Sequence, residues 1–468
     1  MAVKVIEESR ISPPQHSTPP ETSLPLTFFD VFWIIMPPVK RLFFYEFHHS
    51  NQHFIETVLP HMKHSLSQAL QLFYPFAGHL ITDPDDHHDS VPEIACSHGD
   101  SITLTVAETD SDFKHLSGHH ARDVSDFFPL VPKLDSQLLA LQVTLFPNSG
   151  IAVGITNSHV VADGKITTHF VKYWASLCKL GTENPLVPLI SESSVFPFFD
   201  RSVVNDPKGL DKLYLKQIRE LEELIKSNQV ADALTPIAPT DIVVRATFVL
   251  GSVEIEKLKQ WVTSKMKSRL SLSSSDTAFH VSTFVIVCAY VWVCWTKCKS
   301  RGDNEDGERL FFAFGGDFRG RLDPPLPKFY FGNCIIGVAA EANKRDIIGE
   351  DGMVVAAELI GRHIQELNKQ SKMEGGETYI SNISSVFRSG AKVLSVAGSP
   401  KFKVYETDFG WGRPRKVEVV SIEDSGAISL SESRDDENGG VEVGLVLSKL
   451  EMDCFASQFQ QTLKGVTD

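Results

Sequence analysis

The chain has 468 residues, with 45 Lys+Arg against 59 Asp+Glu and a formal net charge of −14. A composition of 42% hydrophobic, 10% aromatic and 22% charged residues supplies large buried cores, which excludes whole-chain disorder, collagen-like repeats and coiled coil. The acidic balance argues against nucleic acid or an anionic membrane as main partner, since both call for excess Lys and Arg, while an anionic small molecule needs positive charge only locally.

Residues 10–25, rich in Pro, Ser and Thr, read as an extended lead-in to the apolar stretch Leu24 to Tyr45. From Phe54 to Phe73, the apolar steps Leu59, Met62, Leu66, Leu70 and Phe73 predict a helix, stopped by Pro75 and Gly78. Asp83-Pro-Asp-Asp-His-His-Asp89 has metal-ligand residue types but neither the spacing nor the glycine of an EF-hand, and reads as an exposed acidic loop. Strands are expected at Ile102–Thr105, Ala140–Leu145 and Ile151–Thr156, the last two joined by the turn Pro147-Asn148-Ser149-Gly150. An amphipathic helix follows from about Lys165 to Leu180.

The character of the chain breaks at 183–240, where Pro-rich ends flank a charged helix, Asp211–Ser227. That is long for an internal loop, and a crossover between domains explains it. The alternation then restarts: strand Val243–Leu250, helix Glu254–Lys267, a Ser-rich loop at 268–276, a buried helix at 281–297, and strands Leu310–Phe314 and Cys334–Ala339. A helix at 351–369, strands at Val417–Ile422, Ala427–Ser433 and Val441–Leu447, and a helix at 451–464 complete it. The class is α/β. Residues 1–200 and 243–468 are the expected domains, 201–242 the crossover, and the cleft between the halves is the favoured ligand site.

Seven cysteines without a C-x-x-C pair fit free thiols in a reducing compartment and no zinc set. The N-terminus reaches acidic residues too early for a secretory signal. The longest apolar run, Val281 to Trp295, is shorter than the roughly 20 residues of a membrane span. A cytoplasmic protein without membrane partners is expected.

Three H-x-x-x-D matches occur, His79…Asp83, His119…Asp123 and His159…Asp163, so the pattern alone decides nothing. Context separates them. His159 ends an apolar strand in a tight turn, where the scaffold can hold its ring, whereas His79 follows a Pro/Gly stop and His119 lies in a polar loop. Asp163 could turn toward His159, or hold the turn through backbone N–H groups or an arginine. Asp408-Phe-Gly-Trp-Gly412 contains a kinase-like D-F-G, but H-R-D, a Gly-rich phosphate loop and V-A-I-K are missing, and kinase is rejected. Its glycines suggest a tight loop around Trp411. Lys401, Lys403, Arg413, Arg415 and Lys416 beside it read either as a solvated edge or as a landing surface for phosphates. In Tyr330-Phe-Gly-Asn-Cys334, Asn333 could donate to an oxyanion or cap a turn. G-x-S-x-G, Walker A and H-E-x-x-H do not occur.

His159-Val-Val-Ala-Asp163-Gly164, about 245 residues before Asp408-Phe-Gly-Trp-Gly412, resembles the plant BAHD acyl-CoA-dependent acyltransferases. Leu24-Pro-Leu-Thr-Phe-Phe-Asp30, Tyr74-Pro-Phe-Ala-Gly78 and the overall length extend the resemblance over essentially the whole chain. Tyr330-Phe-Gly-Asn-Cys334 is similar to the motif of the anthocyanin and flavonoid glycoside branch, which includes malonyltransferases and hydroxycinnamoyltransferases. The resemblance implies two chloramphenicol-acetyltransferase-like domains, each a mixed sheet with helices, and a solvent channel between them. CoA would enter from one face and the acceptor from the other. It implies His159 as base, Asp163 as keeper of site geometry, Arg319 as salt-bridge partner of Asp163, and Asp408, Gly410, Trp411 and Gly412 as structural support. No metal or permanent cofactor is implied: acyl-CoA is a co-substrate, the glycosylated phenolic is the acceptor, and the protein is a monomer. Where relatives acting on shikimate or quinate carry Thr and Trp, this chain reads Val396-Ala-Gly-Ser399, which leaves Ser399, Asn333 or a backbone N–H as oxyanion donor. Branch resemblance favours malonyl over hydroxycinnamoyl as the acyl group. The rival from another class is a catalytically silent ligand-binding protein on the same scaffold.

Overall fold

A computed structural model describes residues 2–15, 21–82, 90–181, 196–226, 242–270, 279–299, 308–370 and 373–467. Sixteen strands are found among them: β1 (Lys4–Ile11), β2 (Glu21–Pro25), β3 (Val39–Glu46), β4 (His79–Ile81), β5 (Glu93–Ser97), β6 (Ile102–Glu108), β7 (Arg122–Asp123), β8 (Leu139–Phe146), β9 (Gly150–Asn157), β10 (Val243–Leu250), β11 (Arg309–Asp317), β12 (Ile335–Asn343), β13 (Lys392–Ala397), β14 (Lys416–Val419), β15 (Ile428–Glu432) and β16 (Val441–Ser448). The longer helices are α1 (Leu59–Leu72), α2 (Gly164–Leu180), α3 (Leu210–Lys226), α4 (Ser252–Leu270), α5 (Thr283–Lys299), α6 (Gly352–Lys369), α7 (Tyr379–Arg388) and α8 (Lys449–Thr467). No helix among the described residues is long and apolar enough to cross a membrane.

The strands form two large mixed sheets, ordered β1-β6-β8-β9-β3-β14 and β12-β11-β13-β15-β16-β10-β7, and a small sheet β2-β5-β4. The expected α/β class with two sheets is what the chain adopts, and neither large sheet closes into a barrel. β8 and β9 are buried at every position because they lie mid-sheet with both faces covered, which is why their sequences are nearly continuous apolar runs. Their antiparallel pairing is closed by the expected turn, where Asn148 takes a left-handed φ of 58°. α5, buried along most of its length, packs against α6 and α8.

Each large sheet takes an edge strand from the other half of the chain. β14 pairs antiparallel with β3, and the two-residue β7 pairs with β10. A buried ionic seam accompanies the exchange. Arg122 Nη2 donates to Glu418 Oε1 at 2.9 Å, while Arg245 reaches Glu418 Oε2 at 3.4 Å and Glu423 Oε1 at 3.0 Å.

Some expectations need correction. The lead-in at 10–25 overlaps two edge strands, β1 and β2. The predicted helix over Phe54–Phe73 begins as a π-helical turn, Phe54–Val58, before α1. Pro60 explains this, because it cannot donate to the residue one turn back and the wider turn accommodates the break. β14 stops at Val419, and Ile422 instead opens a short helix to Ser425. α7 and β13 were not read from the sequence. The acidic loop 83–89, the second crossover loop at 235–240 and most of the Ser-rich loop lie outside the described residues.

Candidate active site

β9 runs straight into Ser158 and His159, and the chain then turns through Val160–Ala162 to Asp163, the N-cap of α2. The strand is immobilised in mid-sheet and the helix is amphipathic, so the turn between them has two rigid ends. Asp163 secures it. Its Oδ1 accepts from the backbone N–H groups of Lys165 (3.2 Å) and Ile166 (3.1 Å). Its Oδ2 accepts from Cys334 N at 3.3 Å and pairs with Arg319 Nη1 at 2.7 Å. Of the two roles open to Asp163 in the sequence, capping plus an arginine is the one its bonds describe.

The other side of the turn is the segment Tyr330–Cys334. Arg319, buried, donates to the carbonyls of Tyr330 and Gly332 as well as to Asp163, so one guanidinium ties both segments together. The ion pair outweighs burial and holds its pKa above the usual arginine range. Asn333 is wholly buried, and its amide is fixed by its neighbours. Nδ2 donates to Asp30 Oδ1 (3.0 Å), His159 O (2.9 Å) and Val160 O (3.3 Å), all acceptors, so the amide oxygen must point the other way. That oxygen lies 3.0 Å from His159 Nδ1. An amide oxygen only accepts, so Nδ1 carries the hydrogen and Nε2 carries the lone pair. Asn333 is therefore drawn under the ring with both amide hydrogens occupied, which corrects the expectation that it could donate to an oxyanion.

Behind Asn333 stands Asp30, which the sequence offered only as the end of an opening motif. Its Oδ1 accepts from Asn333 N and Nδ2, and its Oδ2 from Thr27 N and Oγ1. Arg201 Nη1 lies 3.5 Å from the same Oδ2 and donates to Tyr330 OH at 2.7 Å. His159 remains partly exposed. Burial lowers its pKa from the ordinary value by more than Asp163, Asn333 and Asp30 raise it, so the ring is neutral near pH 7. A neutral ring with a free Nε2 is a competent base.

Ser399 caps the turn Pro400–Phe402, accepting from Lys401 N at 3.2 Å, and no bond joins it to His159 among the described residues. The loop Asp408–Gly412 is latched by its own first residue. Asp408 Oδ1 accepts from Gly410 N and Gly412 N, each at 2.8 Å, and Oδ2 pairs with Lys179 of α2 at 2.7 Å. Both glycines have left-handed φ, 102° and 87°, which side chains resist. Trp411 packs on Tyr45 and Phe47 and stacks on Phe409, so the loop is anchored to the first sheet. The five basic residues nearby are not one solvated edge. Lys416 is buried against Glu442, Arg413 pairs with Glu437 and Arg415 with Glu46, while Lys401 and Lys403 are exposed and make no ion pair among the described residues. Among the described residues, no group of three or more His, Cys, Asp or Glu side chains could hold a metal ion.

A model of the Transferase family matches residues 1–462 of the chain. The chain belongs to the BAHD transferases. This BAHD chain is 38% identical over 474 residues to phenolic glucoside malonyltransferase 2 of Arabidopsis thaliana, covering 99% of this chain and all of the relative. It is 37% identical to the malonyl-coenzyme A:anthocyanin 3-O-glucoside-6''-O-malonyltransferase of Dahlia pinnata, over 98% and 97% of the two chains. Among solved BAHD-like folds, vinorine synthase superposes with a TM-score of 0.65 at 19% identity, over 97% of this chain and 96% of that one. The fold expected from the BAHD resemblance is thus shared with a known structure.

Trp33 and Arg201, both attached to the His159 network, were missed by the sequence reading. Neither sits in a recognisable motif, and only the fold brings them to the turn.

Proposed function

We propose that the protein transfers a malonyl group from malonyl-CoA to a sugar hydroxyl of a phenolic or flavonoid glucoside, with His159 Nε2 as general base. The observation that carries the reading is the Asn333–His159 hydrogen bond, which presents an unprotonated Nε2 at the end of β9. Full-length similarity to two glucoside malonyltransferases supports the donor and the acceptor class.

In this mechanism the sugar oxygen attacks the thioester carbonyl in a ternary complex. The O–H bond breaks as the C–O bond forms, and the proton passes to Nε2. The C–S bond then breaks, and CoA leaves as a thiolate that takes the proton back from His159. Such base assistance is typically worth about 10²–10⁴-fold. No enzyme nucleophile is required, because the thioester is already activated. Asp163 and Arg319 hold the turn without touching the reacting atoms, Asp408 with Gly410, Trp411 and Gly412 shapes the wall near α2, and a backbone N–H or Ser399 serves the oxyanion.

The same proposal places the protein in the cytoplasm, which its free cysteines support, and takes it as a monomer on the strength of the BAHD resemblance. It also takes residues 1–200 and 243–468 as the two domains, with 201–242 crossing between them.

Incubating the purified protein with a panel of phenolic and anthocyanin glucosides and malonyl-CoA should give products heavier by one malonyl group. A coumaroyl-sized gain with coumaroyl-CoA, and none with malonyl-CoA, would reassign the donor. Binding without product or CoA release would sink the enzymatic reading.

A further inference from the structure

His159 has a contact that its role as base does not require. The indole of Trp33 lies flat on the imidazole, with ring centroids 3.6 Å apart and planes 7° from parallel. Trp33 sits in the short 3-10 turn Phe32–Ile34, directly after the helix Phe28–Val31. That helix is clamped at its start by the Thr27–Asp30 capping bonds, and Asp30 is the residue bonded to Asn333. One local structure therefore delivers both the face contact and the edge contact of the ring. Phe32 braces Trp33 edge-on at 5.2 Å and is itself met by Tyr379 at 6.5 Å.

The two contacts restrain different motions. The hydrogen bond from Nδ1 to Asn333 fixes the ring edge but leaves the plane free to hinge about that bond. A flat aromatic surface at van der Waals distance removes the hinge. A π face also attracts a cation more strongly than a neutral ring, so the contact tightens as His159 acquires the proton.

We propose that Trp33 is a positioning residue for His159, holding the plane of its imidazole and favouring the imidazolium formed as the sugar hydroxyl loses its proton to Nε2. This rests on His159 being the base. The charged groups facing the ring are Asp163 on its own loop and Asp30 on the neighbouring helix, and each is paired with an arginine, Arg319 and Arg201 respectively. Those pairs blunt both carboxylates, which leaves the uncharged stack a distinct share in stabilising the protonated ring.

Trp33 is partly exposed, so its replacement spares the core. Trp33→Leu keeps apolar cover over the ring and removes the π face; Trp33→Phe restores an aromatic face. With malonyl-CoA and a phenolic glucoside, Trp33→Leu should lower kcat about tenfold, with both KM values within about twofold. The acid limb of its kcat/KM profile should move to lower pH by about half a unit to one unit, since loss of the stack disfavours the protonated ring. Trp33→Phe should recover most of the turnover and move the limb back. Circular dichroism and thermal midpoints confirm that each variant is folded. A variant set in which only the glucoside KM changes, or in which Phe is as poor as Leu, overturns the proposal and makes Trp33 a wall of the acceptor site. His159→Ala run in parallel separates the two levels, because an active His159→Ala enzyme removes the underlying base assignment whatever Trp33 does.

Discussion

The carboxylate of Asp163 faces Arg319 at 2.7 Å, and both side chains are buried. The second member of the H-x-x-x-D pattern is thus spent on the architecture of the turn and not on the imidazole. Asp163→Asn should leave the buried Arg319 with only the exposed Asp317, 3.2 Å from Nη1, as counter-charge, and should cost less than the roughly 3–5 kcal/mol typical of a buried charge left wholly unpaired. Turnover should fall together with the urea midpoint, because the segments bearing His159 and Asn333 lose their common tie. A variant with full stability and lost turnover would instead give Asp163 a direct part in the chemistry.

For His159→Ala the expectation is the opposite pattern. The ring is partly exposed and its loss leaves no buried charge, only the Asn333 amide oxygen without its donor, so the unfolding midpoint should fall modestly, by the equivalent of about 1–3 kcal/mol, while kcat drops by about 10²–10⁴-fold. Burial lowers the His159 pKa, and the base works only when unprotonated, so activity should persist below pH about 6.5 before falling. The pH–rate profile of kcat/KM tests this. An acid limb well above that value would contradict the burial argument.

How far this was legible in the sequence depends on the range of the interaction. β8, β9 and α2 could be read because the apolar runs and the 3.6-residue period are local, and His159 could be singled out because it lies where the two patterns meet. Asn333 stands in a legible motif, but the direction of its amide is not legible there. Its orientation is set by Asp30, about 300 residues away in sequence, and by two carbonyls of the His159 turn. β14 was read as a strand, yet nothing in Lys416–Val419 reveals that it completes the first sheet beside β3. β7, two residues long, carries no periodicity at all. The missed contacts all join distant segments, and single-sequence patterns report only near neighbours.

The ionic seam between the sheets gives a stability prediction with two limbs. Burial pushes the Glu418 carboxyl up, but Arg122, Arg245 and Lys416 more than reverse this and hold it at about 2. Its folded pKa is below the ordinary 4.5, so its stabilisation is present above pH about 4.5 and is lost as pH falls toward about 2. Glu423 behaves oppositely. Burial raises it to about 8 despite Arg245, so stability should decline as pH rises from about 4.5 through about 8. Thermal midpoints measured against pH should fall on both sides, and Glu423→Gln should flatten the alkaline limb alone. An unchanged alkaline limb in that variant would show that Glu423 is already ionised in the folded protein.

The latch of Asp408 separates a charge effect from a loop effect. Its pair with Lys179 is largely solvent-facing on the lysine side, where such pairs contribute about 0–1 kcal/mol, so Lys179→Ala should be nearly silent. Asp408→Ala also strips the backbone N–H groups of Gly410 and Gly412 of their acceptor and should cost about 1–3 kcal/mol. Asp408→Asn keeps an oxygen for those two donors and should fall between the variants. The loop carries Trp411 and lies close in sequence to Lys401 and Lys403, which make no ion pair among the described residues, so releasing it should raise the KM for acyl-CoA more than the KM for the glucoside, with kcat changed little. Steady-state kinetics at two salt concentrations checks this: a phosphate-facing surface should lose affinity for acyl-CoA as salt rises. Equal effects of Lys179→Ala and Asp408→Ala would show that the ion pair, and not the two glycine N–H bonds, holds the loop.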